Sequence, residues 1–413
     1  MLVDDAVARG FEPFALTRPA GELRAGGALI RHRWIRALAM PCTGYVAAPH
    51  LDAFAEFDAP PAAPSVLPAG TVLVNTRCAP ELRVGAGAPS PVDVWRCGNR
   101  VAAVRLTEPL DTTALRADGG ATDALFDRLA GGAAAPRDIP GWWLDAVWDL
   151  IGHLPAMLQA DALALMPATG ARVPASLTVL GAHPVHVENG ASVEPMVIAD
   201  ASAGPILVQR GAHIQAFTQL VGPCIIGEDV VVVGGRITAC SIGERAKVHG
   251  ELSSTIFIGH ANKGHDGFVG HSVIGRWANL GAGTITSNLK NSYGTVSLWT
   301  PEGSRDTKLQ FLGSLLGDHV KTGIGTRLTT GCVVGAGASI FGSSLPPKAV
   351  APFAWGEAPR WESFALQRFL VVAERVMARR DVSLTAATRA QLSMAHQMAH
   401  TSGYAARWTV GVP

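Results

Sequence analysis

The sequence predicts a chain in three parts: a mixed α/β domain, a left-handed parallel β-helix, and a helical tail. Three observations carry that expectation. Aliphatic residues recur every six positions at Val208, Ile214, Leu220, Ile226 and Val232, then at Phe268, Ile274 and Leu280, then at Leu316, Leu328, Val334 and Ile340, with Thr322 in the same register. The position after the aliphatic one is repeatedly Gly, at Gly227, Gly243, Gly275, Gly281, Gly317 and Gly335, which suits a tight corner. Before and after this region the apolar spacing changes character, from mixed strand and helix periods to helix alone.

Residues 1–165 form the α/β domain. Runs at 71–74 and 100–106 alternate or run apolar as strands do, whereas 28–38 and 144–150 have helical spacing. The Ala/Pro-rich stretch 59–68 reads as a surface loop. Residues 166–180 are a linker, and the solenoid occupies 181–352. Six is a multiple of the strand period of two, so an ordinary sheet also accepts the spacing. The repeated aliphatic-Gly pair over so long a span favours stacked coils of about 18 residues, each burying its apolar face on the next. The register breaks between Val232 and Ile242, and the segments 250–266 and 286–312 fit it poorly, so both are expected to leave the prism as loops. In the tail, 353–413, an apolar stripe of Phe364, Leu366, Phe369, Leu370 and Val372 marks a helix. The tail is expected to pack on the prism or on a neighbouring subunit and to cap the last coil.

Composition narrows the partners. A formal charge of +1, with Arg interleaved among acids, offers no polyanion footprint, so neither nucleic acid nor a membrane partner is expected. No apolar run approaches the ~20 residues of a spanning helix. The opening MLVDDAVARG lacks the basic lead and apolar core of a secretion signal, which points to a cytoplasmic protein. Six widely spaced cysteines, with no C-x-x-C, read as small buried hydrophobes.

Chemistry concentrates between Ser253 and His271, which hold His260, Lys263 and His265 and lead into Gly281-Ala282-Gly283-Thr284. The motifs are N-K-G-H-D-G-F-V-G-H-S at 262–272, W-A-N-L-G-A-G-T at 277–284 and L-K-N-S-Y-G at 289–294. In them the chain resembles the acetyltransferase half of the bifunctional glucosamine-1-phosphate acetyltransferase/N-acetylglucosamine-1-phosphate uridylyltransferase. It resembles more closely the sugar nucleotidyltransferases of the same two-domain type. That resemblance implies acyl transfer from acetyl-CoA, or a related thioester, to a sugar phosphate. An attacking amine or hydroxyl must lose a proton, and imidazole is the side chain whose ordinary pKa lies nearest neutrality. The resemblance makes His265 that base and Asn288 an acceptor contact, with Asn279 and Lys263 as further acceptor candidates. It also implies that Ala282 and Gly283 open the backbone to the pantetheine arm, and that Lys321, Arg327 and Lys348 meet the phosphates of coenzyme A. A homotrimer follows from it, with the acyl site between adjacent solenoids. L-K-N-S-Y-G stands where the acetyltransferases carry a tyrosine-aspartate-glycine run, so the identity of the acceptor does not carry over.

The run from Leu16 to Trp34, with Thr17-Arg18-Pro19 and Glu22-Leu23-Arg24, resembles the opening of the same nucleotidyltransferases. This implies phosphate- or nucleotide-binding roles for Arg18 and Arg24, and for Asn75, which stands where the family places an aspartate that holds Mg2+. A neutral amide is a poor sole ligand for magnesium. Nucleotidyl transfer to a sugar 1-phosphate therefore requires acids from elsewhere, such as Asp4, Asp5 or Asp149; otherwise the domain binds without turnover. Two further readings stay open: a non-catalytic nucleotide-sugar-binding or scaffold trimer, and a zinc enzyme of the gamma-carbonic-anhydrase kind. The last would use His260 and His265 with Cys224, two coils upstream, as the third ligand.

Overall fold

The computed structural model describes residues 1–83, 93–116, 123–131, 136–167 and 172–408. Residues 168–171 of the expected linker and the last five of the tail lie outside the described residues.

The first region is built on a six-stranded mixed sheet in the order Arg137–Asp138, Val94–Cys97, Arg100–Arg105, Val72–Asn75, Leu2–Val3, Tyr45–Val46. Leu2–Val3 lies parallel to both its neighbours, and Arg100–Arg105 antiparallel to both of its own. Strand alternation sorts the side chains onto two faces. Val3, Leu73 and Val104 pack with Phe126 on one face, while Leu2, Val74 and Ala103 join Trp34 and Leu154 in a larger core on the other. Helices Ile30–Leu38 and Leu154–Leu165 belong to that second face. The expected strands are present, and the helix expected at 28–38 forms over Ile30–Leu38 after a two-residue strand, Ala28–Leu29. The helical spacing at 144–150 instead yields a single turn, Asp149–Gly152, before the longer helix Leu154–Leu165.

From Leu177–Leu180 onward the chain coils as a parallel β-helix of about ten turns with three strands per coil. Of the six-residue positions, Ile214, Ile226, Val232, Ile274, Leu316 and Val334 are fully buried inside the prism. Phe268 is out of phase: Val269 fills the interior slot and Phe268 is half exposed. The glycines after the aliphatic positions are needed for close approach between coils. A Cβ on Gly243 would stand 2.2 Å from the carbonyl oxygen of Ile258 on the next coil. After Gly227, Gly243, Gly275 and Gly317 the left-handed backbone falls two residues later on non-glycine side chains, Asp229, Arg245, Trp277 and His319.

The segment 250–266 does not leave the prism. Lys247–Ser253, Ile256–Phe257 and Asn262–Lys263 pair in parallel with the coils on either side. The six-residue period fails there because the coil is short: fifteen residues separate Ser241 from its partner Ile256. The segment 286–312 does leave the prism, and 42 residues separate Val273 from its partner Leu315. The excursion carries the hairpin Ser297–Thr300 with Gly303–Asp306.

One face of the prism is apolar on both sides. Ile206–Val208, Cys224–Ile226, Ser314–Leu316 and Cys332–Val334 are buried at every position, because alternate residues point inward and outward and both directions are covered. Outward-facing Leu207, Ile225, Ile256, Val273, Leu315 and Val333 belong to the same core as Trp34 and Met157 of the first domain. The tail begins as a hairpin, Ala354–Glu357 with Arg360–Ser363, which covers the last coil through Ser339 and Trp355. Its helices Leu366–Ala378, Ala386–Ala399 and Ser402–Arg407 then reach the first domain of the same chain. Gln391 Nε2 donates to the carbonyl of Thr17 at 2.7 Å, and Tyr404 donates to Glu12 at 2.7 Å. No helix among the described residues is long and apolar enough to cross a membrane.

Candidate functional site

His265 stands exposed at one corner of the prism. The next coil brings Ala282 and Gly283 to the same corner, with the Gly283 N–H bonded to the Asp266 carbonyl at 2.9 Å. A coil further on, Gly325 N–H meets the Ala282 carbonyl at 2.7 Å. Lys263 lies inside the prism, in an interior slot opposite Val248, and is fully buried. Its ammonium donates to the carbonyls of His265, of Asp266 at 3.0 Å and of His249 at 3.5 Å, and burial lowers its pKa to about 8. The expected acceptor contact from Lys263 does not survive: its charge pins the corner that presents His265.

The other expected residues of this site are dispersed. Asn279 sits on the adjoining face, where its amide oxygen accepts from Asn262 at 2.8 Å. Asn288 reaches the far corner, with its amide nitrogen 2.9 Å from His271 Nδ1. Five residues lie between His265 and His271, so along the chain the Asn288 row stands at most ~20 Å from the imidazole in the same protomer. Lys321 donates to the carbonyls of Trp277 and His319 at 2.8 and 3.0 Å, and burial lowers its pKa to about 7. Lys348 donates to the Thr330 carbonyl. Arg327 is exposed and pairs through its strand with Ile285. These three cations occupy different faces and do not form a single phosphate grip; Lys321 and Lys348 are clamps on backbone oxygen. The zinc reading also fails on its donors. Cys224 lies in the dry interior, where burial pushes its thiol up to about 12, while His260 and His265 stand at different corners. No group of three or more His, Cys, Asp or Glu among the described residues is placed to hold a metal ion.

In the first domain Asp4, Asp5 and Asn75 do gather where the parallel strands Leu2–Val3 and Val72–Asn75 end, but they are buried and bonded to one another. Asn75 Nδ2 donates to Asp5 at 3.1 Å, Arg77 Nε donates to the same carboxylate at 2.6 Å, and Asp4 accepts from Thr76 at 2.7 Å. Burial raises the Asp4 carboxyl to about 6. Asp149 accepts from the backbone N–H groups of Asp145 and Ala146 at 2.7 and 2.9 Å. A carboxylate neutralised by Arg77, a second one buried and already accepting from Thr76 and the Ala20 N–H, and a neutral amide are a poor donor set for Mg2+. These residues do not fit the metal.

Arg18 and Arg24 are likewise enclosed. Arg18 bridges Glu56 at 3.0 Å and Asp318 of the solenoid at 2.8 Å, and Arg24 pairs with Glu244 at 2.5 Å. Arg276 completes the junction, 3.3 Å from Glu56, 2.6 Å from Glu244 and 3.0 Å from His260 Nδ1. Burial opposes charge on Glu56, but Arg18 and Arg276 outweigh it and bring its pKa down to about 2. Burial, reinforced by Arg276, lowers His260 to about 3, so its imidazole is neutral and Nδ1 accepts. Sequence reasoning passed over Glu56, Glu244 and Arg276; the only signal was that the positions next to the left-handed corners carry large or charged side chains.

Comparison with known proteins places this architecture. Residues 1–167 match the family model described as sugar nucleotidyl transferase. The chain is also similar to the bifunctional protein GlmU of Jannaschia sp., 31% identical over 136 residues, which is 32% of this chain and 29% of that protein. The bifunctional sugar-1-phosphate nucleotidylyltransferase/acetyltransferase of Sulfurisphaera tokodaii is 31% identical over 91 residues, 22% of this chain and 23% of the relative. An uncharacterized acetyltransferase, YaiX, of Escherichia coli is 26% identical over 151 residues, 36% of this chain and 66% of the relative. The chain thus spans less than a third of the two bifunctional relatives. The first domain is tied to the solenoid by the Arg18 and Arg24 ion pairs and by a shared apolar core.

Proposed function

We propose that this protein is a transferase acting on sugar phosphates, with acyl transfer from acetyl-CoA or a related thioester at the β-helix corner that carries His265. The observation that carries the reading is that corner: an exposed imidazole, one coil from Ala282 and Gly283, on a backbone fixed by the buried Lys263 ammonium. Substrate would be held against the glycine-lined edge, His265 would take the proton from the attacking amine or hydroxyl, and the thioester carbon would pass from sulfur to that nucleophile. A homotrimer fits the same corner, along which Met196, Phe217 and Ile324 are 66, 73 and 80% exposed. Apolar side chains in such a row suit burial against a neighbouring protomer.

In this reading the nucleotidyl transferase domain does not turn over a nucleotide, and Arg18, Arg24 and Asn75 are structural. The enclosed ion pairs and the poor donor set for Mg2+ support this. The test is thioester cleavage with coenzyme A release, followed over a panel of amino-sugar phosphates with the intact protein and with His265→Ala. Loss of at least a hundredfold in kcat with His265→Ala supports the reading. An unchanged rate, or none in the intact protein with any acceptor, supports the scaffold instead.

A further inference from the structure

A cleft of about 1050 Å³ opens where the first domain, the solenoid corner and the tail helices meet. Neither His265 nor any of Asp4, Asp5 and Asn75 lines it, whereas Arg24, Glu56, Glu244, His260 and Arg276 of the ion-pair junction do. Large pockets with a few polar groups at a domain boundary are the usual setting for small-molecule binding. Its wall carries an aromatic platform. Phe57 stacks on His260 with ring centroids 4.5 Å apart and 22° between planes, and His260 in turn lies 4.5 Å from Trp277. Arg276 sits 4.9 Å from the Phe57 ring centre. Phe57 nonetheless remains 51% exposed and is held at a φ of 51°, a left-handed conformation that is costly for a bulky side chain. A strained, half-exposed phenyl ring, backed by a packed stack and facing a cavity, is placed to receive a flat apolar surface.

The polar groups around the ring define what that surface belongs to. The guanidinium groups of Arg24, Arg31 and Arg276 are engaged with Glu244, Glu22 and Glu56, and Arg36 donates to the carbonyls of Leu82 and Ala164. Two carboxylates remain reachable from the cleft: Asp58, next to Phe57, accepts from Arg31 at 2.9 Å yet has 74% of its side chain exposed, and Glu244, paired with Arg24 and Arg276, has 30%. Hydroxyl groups donating to ionised carboxylates make strong hydrogen bonds, whereas a phosphate would meet six carboxylates against five guanidinium groups, most of them already paired.

We propose that the cleft binds a glycosyl unit without phosphate, its apolar ring face on Phe57 and its hydroxyls donating to Asp58 and Glu244. The bound ring covers Phe57 and links the three segments of the chain. Binding of glucose, glucosamine and glucosamine 1-phosphate to the full-length protein, followed by saturation-transfer NMR and Trp fluorescence, tests this. Saturable binding of glucose or glucosamine is expected, weakened at least tenfold by Phe57→Ala and measurably by Asp58→Asn. Both residues are exposed, but Asp58 also pairs with buried Arg31, so a melting temperature matched to the parent is required of each variant. No saturable binding of either sugar, binding indifferent to Phe57→Ala, or tighter binding of glucosamine 1-phosphate lost in Arg245→Gln would each overturn the proposal. Acyl transfer at His265 is read separately, so the two conclusions fail independently.

Discussion

Replacing Arg18 with Met separates a structural tie from a phosphate grip. The guanidinium is 2% exposed and neutralises Glu56 and Asp318, the second lying 300 residues away on the solenoid. Met matches the aliphatic stem but leaves Asp318 with only Thr17 and the Arg276 N–H, and Glu56 with Arg276 and Trp277. Removing one partner of a buried pair costs about 3–5 kcal/mol. The fall of the Glu56 pKa from 4.5 to about 2 corresponds to ~3 kcal/mol shared between Arg18 and Arg276, the same order. For cooperative unfolding of a chain this long the expectation is a melting temperature lower by about 5 °C at pH 7. Because the folded pKa of Glu56 is depressed, its contribution is present above the unfolded value and fades as pH falls from about 4.5 towards 2, so the gap between Arg18→Met and the parent narrows in acid. Urea titrations with Trp fluorescence at pH 7 and pH 4 measure both. A change under about 1 kcal/mol at pH 7, together with weakened nucleotide binding, would refute the tie and restore Arg18 to phosphate.

Three further outcomes are expected. Burial raises Glu12 to about 7 and leaves its Oε2 without a partner, while Tyr404 donates to Oε1. A raised carboxyl pKa means the fold holds the extra proton, so stability falls by about 3 kcal/mol as pH rises from about 4.5 to 7; Glu12→Gln should melt higher than the parent at pH 8, with the difference shrinking towards pH 5. Lys263→Met removes the donor shared by three carbonyls and should cost about 1–3 kcal/mol by urea denaturation, with a fall in kcat for acyl transfer larger than any change in KM. Gly235→Ala combines a φ of 96° with a Cβ placed 2.2 Å from the Gly250 carbonyl oxygen and should destabilise by about 2–4 kcal/mol in the same assay.

The solenoid was legible because each coil repeats one physical requirement, an aliphatic side chain inward and a glycine where the next backbone presses close. The excursion at 286–312 was legible for the converse reason, since no coil had to be satisfied there. At 250–266 the period misled: the corner shortens the coil, and at 263 a lysine occupies an interior slot because its ammonium meets three carbonyl oxygens. The doubly apolar face could have been read from the consecutive runs at 206–208, 224–226 and 332–334, which mark strands covered on both sides. No local pattern could have revealed that Arg18 meets Asp318, or that Lys321 turns back onto Trp277 and His319. Side chains of those types serve ligands and backbone oxygens equally well, and only the packing of distant segments decides which. The cleft is illegible in the sequence for the same reason, its walls coming from the first domain, the solenoid and the tail together.

The strip formed by Leu207, Ile225, Ile256, Val273, Leu315 and Val333 limits how this protein can be taken apart. Severed near residue 172, the coiled half would present these side chains to water at the ~4.8 Å rise of stacked strands, a surface ready to dock on its own kind. The coiled half and its covering domain therefore belong together: neither can be exchanged for a foreign counterpart unless the new one brings a matching greasy seam.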